Sequence, residues 1–144
     1  MSEVPATPEQ LRSTGAVLAR VDDALVDFRH PHESRLLIWS LSLFPTMRHL
    51  ATHIADDASQ RLAHRIFDRF DEHVTDVLPT LEEQVIHGDY SPHNVAVDSA
   101  LREFVSGVID FGDVVRSPVL FELSVAAANS SASTPSTRGR QLST

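Results

Sequence analysis

The stretch from Val85 to Asp113 constrains this chain more than any other. It reads Val85-Ile86-His87-Gly88-Asp89-Tyr90-Ser91-Pro92-His93-Asn94-Val95-Ala96-Val97-Asp98 and, after a turn, Val108-Ile109-Asp110-Phe111-Gly112-Asp113. Apolar runs of strand length end in acidic residues. A site for a divalent cation and phosphate has this form when it is built at strand edges, because hard cations take oxygen ligands. The chain has no cysteine, so it offers neither a disulfide framework nor a thiolate metal site.

The spacing is His, any residue, Asp, four residues, Asn, then Asp-Phe-Gly. This is the layout of a kinase catalytic loop followed by its metal-binding Asp. Phosphoryl transfer is mostly positioning and charge neutralisation. An attacking hydroxyl must lose a proton, so a carboxylate must stand within hydrogen-bond reach, and Asp89 is the candidate. Mg²⁺ would be held by oxygen, from the amide of Asn94 and the carboxylate of Asp110. Gly88 permits a tight turn before Asp89, and Pro92 stiffens the loop that follows. His87 reads as a structural hydrogen-bonding group. Taken singly, Asp89, Asn94 and Asp110 read as ordinary turn residues at strand ends; jointly, at this spacing, they point to phosphoryl transfer. Asp98 reads as a hairpin-turn residue. Asp113 is either a second acidic group near the metal or a loop cap.

His87-Gly88-Asp89 with Asn94, and Ile109-Asp110-Phe111-Gly112-Asp113, resemble the aminoglycoside phosphotransferase family, whose fold is similar to that of protein kinases. Gly88 stands where protein kinases usually carry Arg, which favours small-molecule kinases. Asp113-Val114-Val115-Arg116-Ser117-Pro118 with Glu122-Leu123-Ser124-Val125-Ala126 looks like the hydroxylysine kinase branch, and Leu36-Leu37-Ile38-Trp39-Ser40-Leu41 extends the likeness weakly. The resemblance implies Asp89 as catalytic base and Asn94 and Asp110 as magnesium ligands, with His87, Gly88, Phe111, Gly112 and Asp113 in support. It implies ATP as phosphoryl donor and a small hydroxylated amine as acceptor. The expected fold is α+β: a mostly helical, protein-kinase-like carboxyl-terminal lobe with a small β-hairpin region bearing the catalytic loop.

The departures shape a second expectation. The family has a preceding lobe with a phosphate-covering loop and a nucleotide-gripping lysine. This chain has no lysine, and its glycines are scattered at Gly15, Gly88, Gly107, Gly112 and Gly139. It reads as a partial lobe: a flexible start over residues 1–7, the lobe over 8–128, and a Ser/Thr-rich tail over 129–144. Feeble turnover is expected, because positioning supplies much of the rate. The competing reading is a non-catalytic binding module, or a gene remnant. Its apolar surface would meet a separate lobe or a second copy.

At 144 residues the chain is one domain at most. A net charge of −8 argues against nucleic acid and suits a cationic substrate. The longest apolar-looking run, Leu36 to Phe44, is far short of the roughly 20 residues a membrane helix needs. No leader is visible over Met1 to Gln10, so the cytoplasm is the expected compartment.

Thr7-Pro8-Glu9-Gln10 predicts a helix start with a capping box. Leu11, Leu18, Val21, Leu25 and Phe28 then make an inward stripe, with the helix ending near Phe28 and Gly15 open to close packing. Leu36 to Phe44 predicts a short helix carrying Trp39 into the core, and Met47, Leu50 and Ile54 are expected to face inward. Asp56 or Asp57 should cap a helix whose inward stripe is Leu62, Ile66, Phe70, Val74 and Val77 or Leu78, ending near Pro79. His49 and His53, four apart, lack a third metal ligand in register. Strands are expected at Gln84–His87, Asn94–Val97 and Phe104–Ile109. Ser117 should cap a last helix with Leu120, Leu123 and Ala127 or Ala128 inward. From Asn129 to Thr144 half the residues are Ser or Thr, a composition that cannot bury enough surface to order itself.

Overall fold

A computed structural model describes residues 7–100 and 104–132. The order is helix α1 (Pro8–Leu25), a run of 3-10 turns (Leu41–His53), and helix α2 (Asp57–Phe70) closing in a π turn (Asp71–Thr75). Then come a 3-10 turn (Leu78–Thr80), strands β1 (Glu83–Ile86), β2 (Val95–Val97), β3 (Val105–Val108) and β4 (Val115–Pro118), and helix α3 (Val119–Ala132). The chain is α+β, mainly helical with small antiparallel sheets, as expected.

The strands are nested. β2 pairs with β3 as a hairpin, and that hairpin is inserted between β1 and β4, which pair with each other. Val85 faces Arg116 and Ile86 faces Val115 in the outer ladder, while Val95 faces Val108 in the inner one. Both junctions between ladders, residues 87–94 and 109–114, therefore leave the sheets at the same seam.

α1 begins as its sequence dictates. The Thr7 hydroxyl accepts the Gln10 N–H at 3.2 Å, and the Gln10 side chain accepts the Thr7 N–H at 2.9 Å. Each satisfies a backbone donor that the first helical turn leaves open. The inward face is Val17 and Leu18, not the whole stripe: Leu11 is exposed, and Phe28 lies beyond the helix end and is also exposed. Gly15 faces open space and packs against nothing.

Three other helical expectations fail for one reason: periodicity gives a face but not its neighbour. In α2, Leu62 and Ile66 are half exposed and Phe67 is the buried residue. Phe67 stacks on Phe44 with ring centroids 4.3 Å apart; Phe44 meets Phe70 at 5.1 Å, and Phe70 meets Phe121 at 6.5 Å. The aromatic cluster ties the 3-10 run, α2 and α3 together, so it selects the face. In α3 the buried pair is Phe121 and Glu122, whereas Leu120 and Leu123 point out. In the 3-10 run Ala51 is buried and Leu50 exposed.

Residues 36–40 are not helical. Trp39 is 60% exposed rather than in the core, and the 3-10 run starts only at Leu41, after Ser40. Ser117 is not a helix cap. It sits in β4, buried, with its hydroxyl 2.9 Å from that of Ser42. Asp56, not Asp57, caps α2 by accepting the Ser59 N–H at 2.7 Å, and the Gln60 side chain donates to the Ala51 carbonyl. The helix gives way to the π turn at Asp71, ahead of Pro79. α3 continues through Ala132, into the stretch read as tail; residues 1–6 and 133–144, which carry most of the expected flexible start and tail, lie outside the described residues. No described helix is long and apolar enough to cross a membrane.

Candidate active site

The loop leaving β1 is organised by hydrogen bonds among its own members. Asn94 is buried, and its amide nitrogen donates to the Asp89 carboxylate at 2.8 Å and to the Asp89 carbonyl at 2.9 Å. Two bonds from one side chain fix both the position and the rotation of Asp89. They also occupy the amide nitrogen, so the amide oxygen is the atom left for a cation.

His87 is fully buried. Its Nδ1 accepts the Asp89 N–H at 3.3 Å, which places the proton on Nε2, and Nε2 donates to the Ile109 carbonyl at 2.9 Å. The Ile109 N–H in turn donates to the Asn94 carbonyl at 2.9 Å. The residue immediately before Asp110 is thus bonded to both ends of the Asp89 loop. The nesting of the strands makes this possible, since both loops emerge at one seam.

Asp110 is exposed and adopts a left-handed backbone conformation, φ 61° and ψ 65°. Such a conformation is uncommon outside glycine, and Asp tolerates it through a local side-chain bond. Here the Asp110 carboxylate accepts the Gly112 N–H at 3.2 Å. Phe111 covers His87 with ring centroids 4.8 Å apart. The Asp113 carboxylate accepts the Trp39 indole N–H at 3.1 Å, which anchors Asp113 to the segment before the 3-10 run. Asp98 makes the hairpin turn: its side chain accepts the Ala100 N–H at 2.8 Å and its own N–H donates to the Phe104 carbonyl at 2.7 Å.

The Asn94 amide oxygen and the exposed Asp110 carboxylate, without sulfur, are donor types that a hard divalent cation takes. Among the described residues no three His, Cys, Asp or Glu side chains gather into a metal site.

One supporting residue escaped the sequence reading. Glu122 of α3 is fully buried and accepts the Gly88 N–H at 2.9 Å. Burial pushes its carboxyl above the usual range, and the Gly88 bond and His87 oppose that shift. A charged residue inside an apolar helix stretch, Val119 to Ala128, was the available signal. The second Glu122 oxygen and one Asp22 oxygen are buried without a hydrogen-bond partner. Burial, and secondarily Glu122, push the Asp22 carboxyl up to about 6 from 3.8.

The folded chain holds the Asp22 proton more tightly than the unfolded chain, so this contribution to stability is complete below pH 3.8 and is lost as pH rises through about 6. Asp22→Asn is expected to stabilise the protein by about 1–2 kcal/mol at pH 8, discounted for partial exposure, and to change little near pH 4. Thermal melts at the two pH values check this; an equal gain at both would contradict it.

The nested sheets, the amide-clamped carboxylate and the left-handed acidic loop define a phosphotransferase-like lobe. The chain belongs to the phosphotransferase enzyme family, whose match spans residues 2–143. It is similar to the hydroxylysine kinase of Mus musculus, 30% identical over 135 residues, which cover 87% of this chain and 36% of the relative. The hydroxylysine kinase of Danio rerio is 26% identical over 131 residues (87% of this chain, 37% of the relative), and that of Xenopus laevis 28% over 137 residues (87% and 37%). The chain therefore spans little more than a third of the length of these relatives. No solved structure matches it significantly.

Proposed function

We propose that this chain carries the catalytic and metal-binding loops of an ATP- and Mg²⁺-dependent kinase of a small hydroxylated amine, an amino alcohol of the hydroxylysine or aminoglycoside kind. The observation that supports it most is the double clamp of Asn94 on Asp89. It orients one carboxylate oxygen as a base and leaves an amide oxygen for the cation. Asp89 would take the proton of the acceptor hydroxyl as its oxygen bonds the γ-phosphorus. The bond from that phosphorus to the bridging oxygen would break, and ADP would leave. Asn94 and Asp110 would hold Mg²⁺, which when bound supplies charge neutralisation on the phosphates. His87, Gly88, Phe111, Gly112 and Asp113 would hold these groups in place. The net charge of −8 suits a cationic acceptor, and the cytoplasm is the compartment proposed for it.

Calorimetric titration with Mg-ATP, with ADP release assayed on hydroxylysine and aminoglycosides, tests the reading. Mg²⁺-dependent nucleotide binding is expected, lost in Asp110→Asn. Turnover is expected to be feeble, because no lysine is present to grip the phosphates. What turnover there is should fall about 10²–10⁴-fold in Asp89→Asn. Nucleotide binding that ignores both Mg²⁺ and Asp110 would sink the proposal.

A further inference from the structure

The segment between α1 and the 3-10 run crosses the outside of the Asp110 loop. It is irregular, and its apolar side chains mostly point away: Leu36 is 83% exposed and Ile38 62%. Leu37 and Trp39 line a cavity with Ile86, Val115 and Phe121, although most of the Trp39 side chain stays exposed. Burial is therefore a weak explanation for why the segment lies where it does. Polar contacts give a better one, and they converge on residues 112–117. The Arg35 guanidinium donates to the Gly112 carbonyl. The Trp39 indole N–H donates to the Asp113 carboxylate at 3.1 Å. Glu33 pairs with Arg116 at 2.6 Å, half-buried, and its carbonyl accepts the Arg116 N–H at 2.6 Å. Ser42 meets Ser117 at the far end.

We propose that residues 33–42 form a strap that fixes the metal-binding loop, with Arg35 and Trp39 as its positioning residues. Glu33 and Ser42 root the strap on β4. Between those roots, Arg35 and Trp39 grip the two residues that follow Phe111. Asp110 gains from such help, because its left-handed backbone is otherwise held on the Phe111 side by its own bond to Gly112. The grip also reaches the catalytic loop, since the Asp113 carbonyl lies against Gly88. The inference rests on the proposed metal role of Asp110, and its test separates the two.

The experiment compares wild type with Trp39→Phe/Arg35→Met, and with Asp110→Asn. Amide hydrogen exchange is read at Gly112 and Val114, with Val85 and Ile86 of β1 as reference. Binding of Mn²⁺-ADP is read by water proton relaxation. Both substituted side chains are exposed, so the fold should survive. The double variant is expected to speed exchange at Gly112 and Val114 roughly five- to tenfold, leave β1 unchanged, and weaken Mn²⁺-ADP about threefold to tenfold. Arg35→Lys with Trp39 intact, which keeps a donor for Gly112, should restore most of both. Unchanged loop exchange overturns the strap. Faster exchange with unaltered Mn²⁺-ADP affinity overturns its positioning role. Wild-type Mn²⁺-ADP binding that Asp110→Asn leaves intact overturns instead the metal role of Asp110, and the exchange readout still decides whether the strap holds the loop.

Discussion

Gly88→Ala is expected to destabilise the protein by about 2–5 kcal/mol, and two independent terms add to that figure. Gly88 has φ +84°, a left-handed conformation that an L side chain adopts at a cost of about 1–2 kcal/mol. The added Cβ would also lie 2.5 Å from the Asp113 carbonyl oxygen, a backbone atom that cannot swing aside. Relieving that overlap requires a shift of one loop against the other, worth about 1–3 kcal/mol. Two glycines serve as controls. A Cβ at Gly107 would meet the Ala96 side chain at an ordinary 3.9 Å, and one at Gly15 would meet nothing. Gly15→Ala, in the interior of α1, should stabilise by about 0.5–1 kcal/mol. Urea titration of the three variants checks the order. A Gly88→Ala midpoint close to that of Gly107→Ala would show that the two loops are not in contact.

Glu122 variants are expected to separate the hydrogen bond from the charge. Glu122→Ala leaves the Gly88 N–H without its acceptor and opens a cavity under the loop that follows β1, for a loss of about 2–4 kcal/mol. Glu122→Gln keeps an oxygen for Gly88 and removes the ionisable group. The folded carboxyl is raised, so wild-type stability falls as pH rises through its folded pKa, whereas the Gln variant is spared that loss. Stability at pH 8 should therefore rank Gln at or above Glu, and Glu well above Ala. The gap between Gln and Glu should close toward pH 4. A Gln variant as unstable as Ala would mean that the ionised carboxylate itself is required.

The parts of the fold legible in the sequence were those written in local chemistry. The capping box at Thr7 and Gln10 forms as read, and so do β1, β2 and β3 within a residue at either end. The His87–Asp89–Asn94 spacing sufficed to place these residues in one hydrogen-bonded loop, because the constraint lies within one short segment. What was not legible depended on distant partners. β4 was missed because Val115 and Ser117 are inward only once β1 lies beside them, and the Pro118 that ends it read more simply as a helix start. Trp39 read as core because an indole is mostly apolar. Nothing nearby in the chain announces that Asp113, far along it, will take its N–H. The faces of α2 and α3 were misjudged because Phe44 draws in Phe67 rather than Ile66 and Phe70 meets Phe121, and periodicity sees neither partner.

The nesting of the ladders also bears on how the chain assembles. The inner hairpin closes over a short span, and tight hairpins form within about 1–10 μs. Once it has closed, the ends of β1 and β4 are tethered by two brief connections rather than by the whole stretch between them, which reduces the entropy of bringing them together. The outer ladder is then the last to zip. Until it does, Asp89 and Asp110 belong to one molecule but not yet to one place, and the loops that carry them meet only at the final stage of folding.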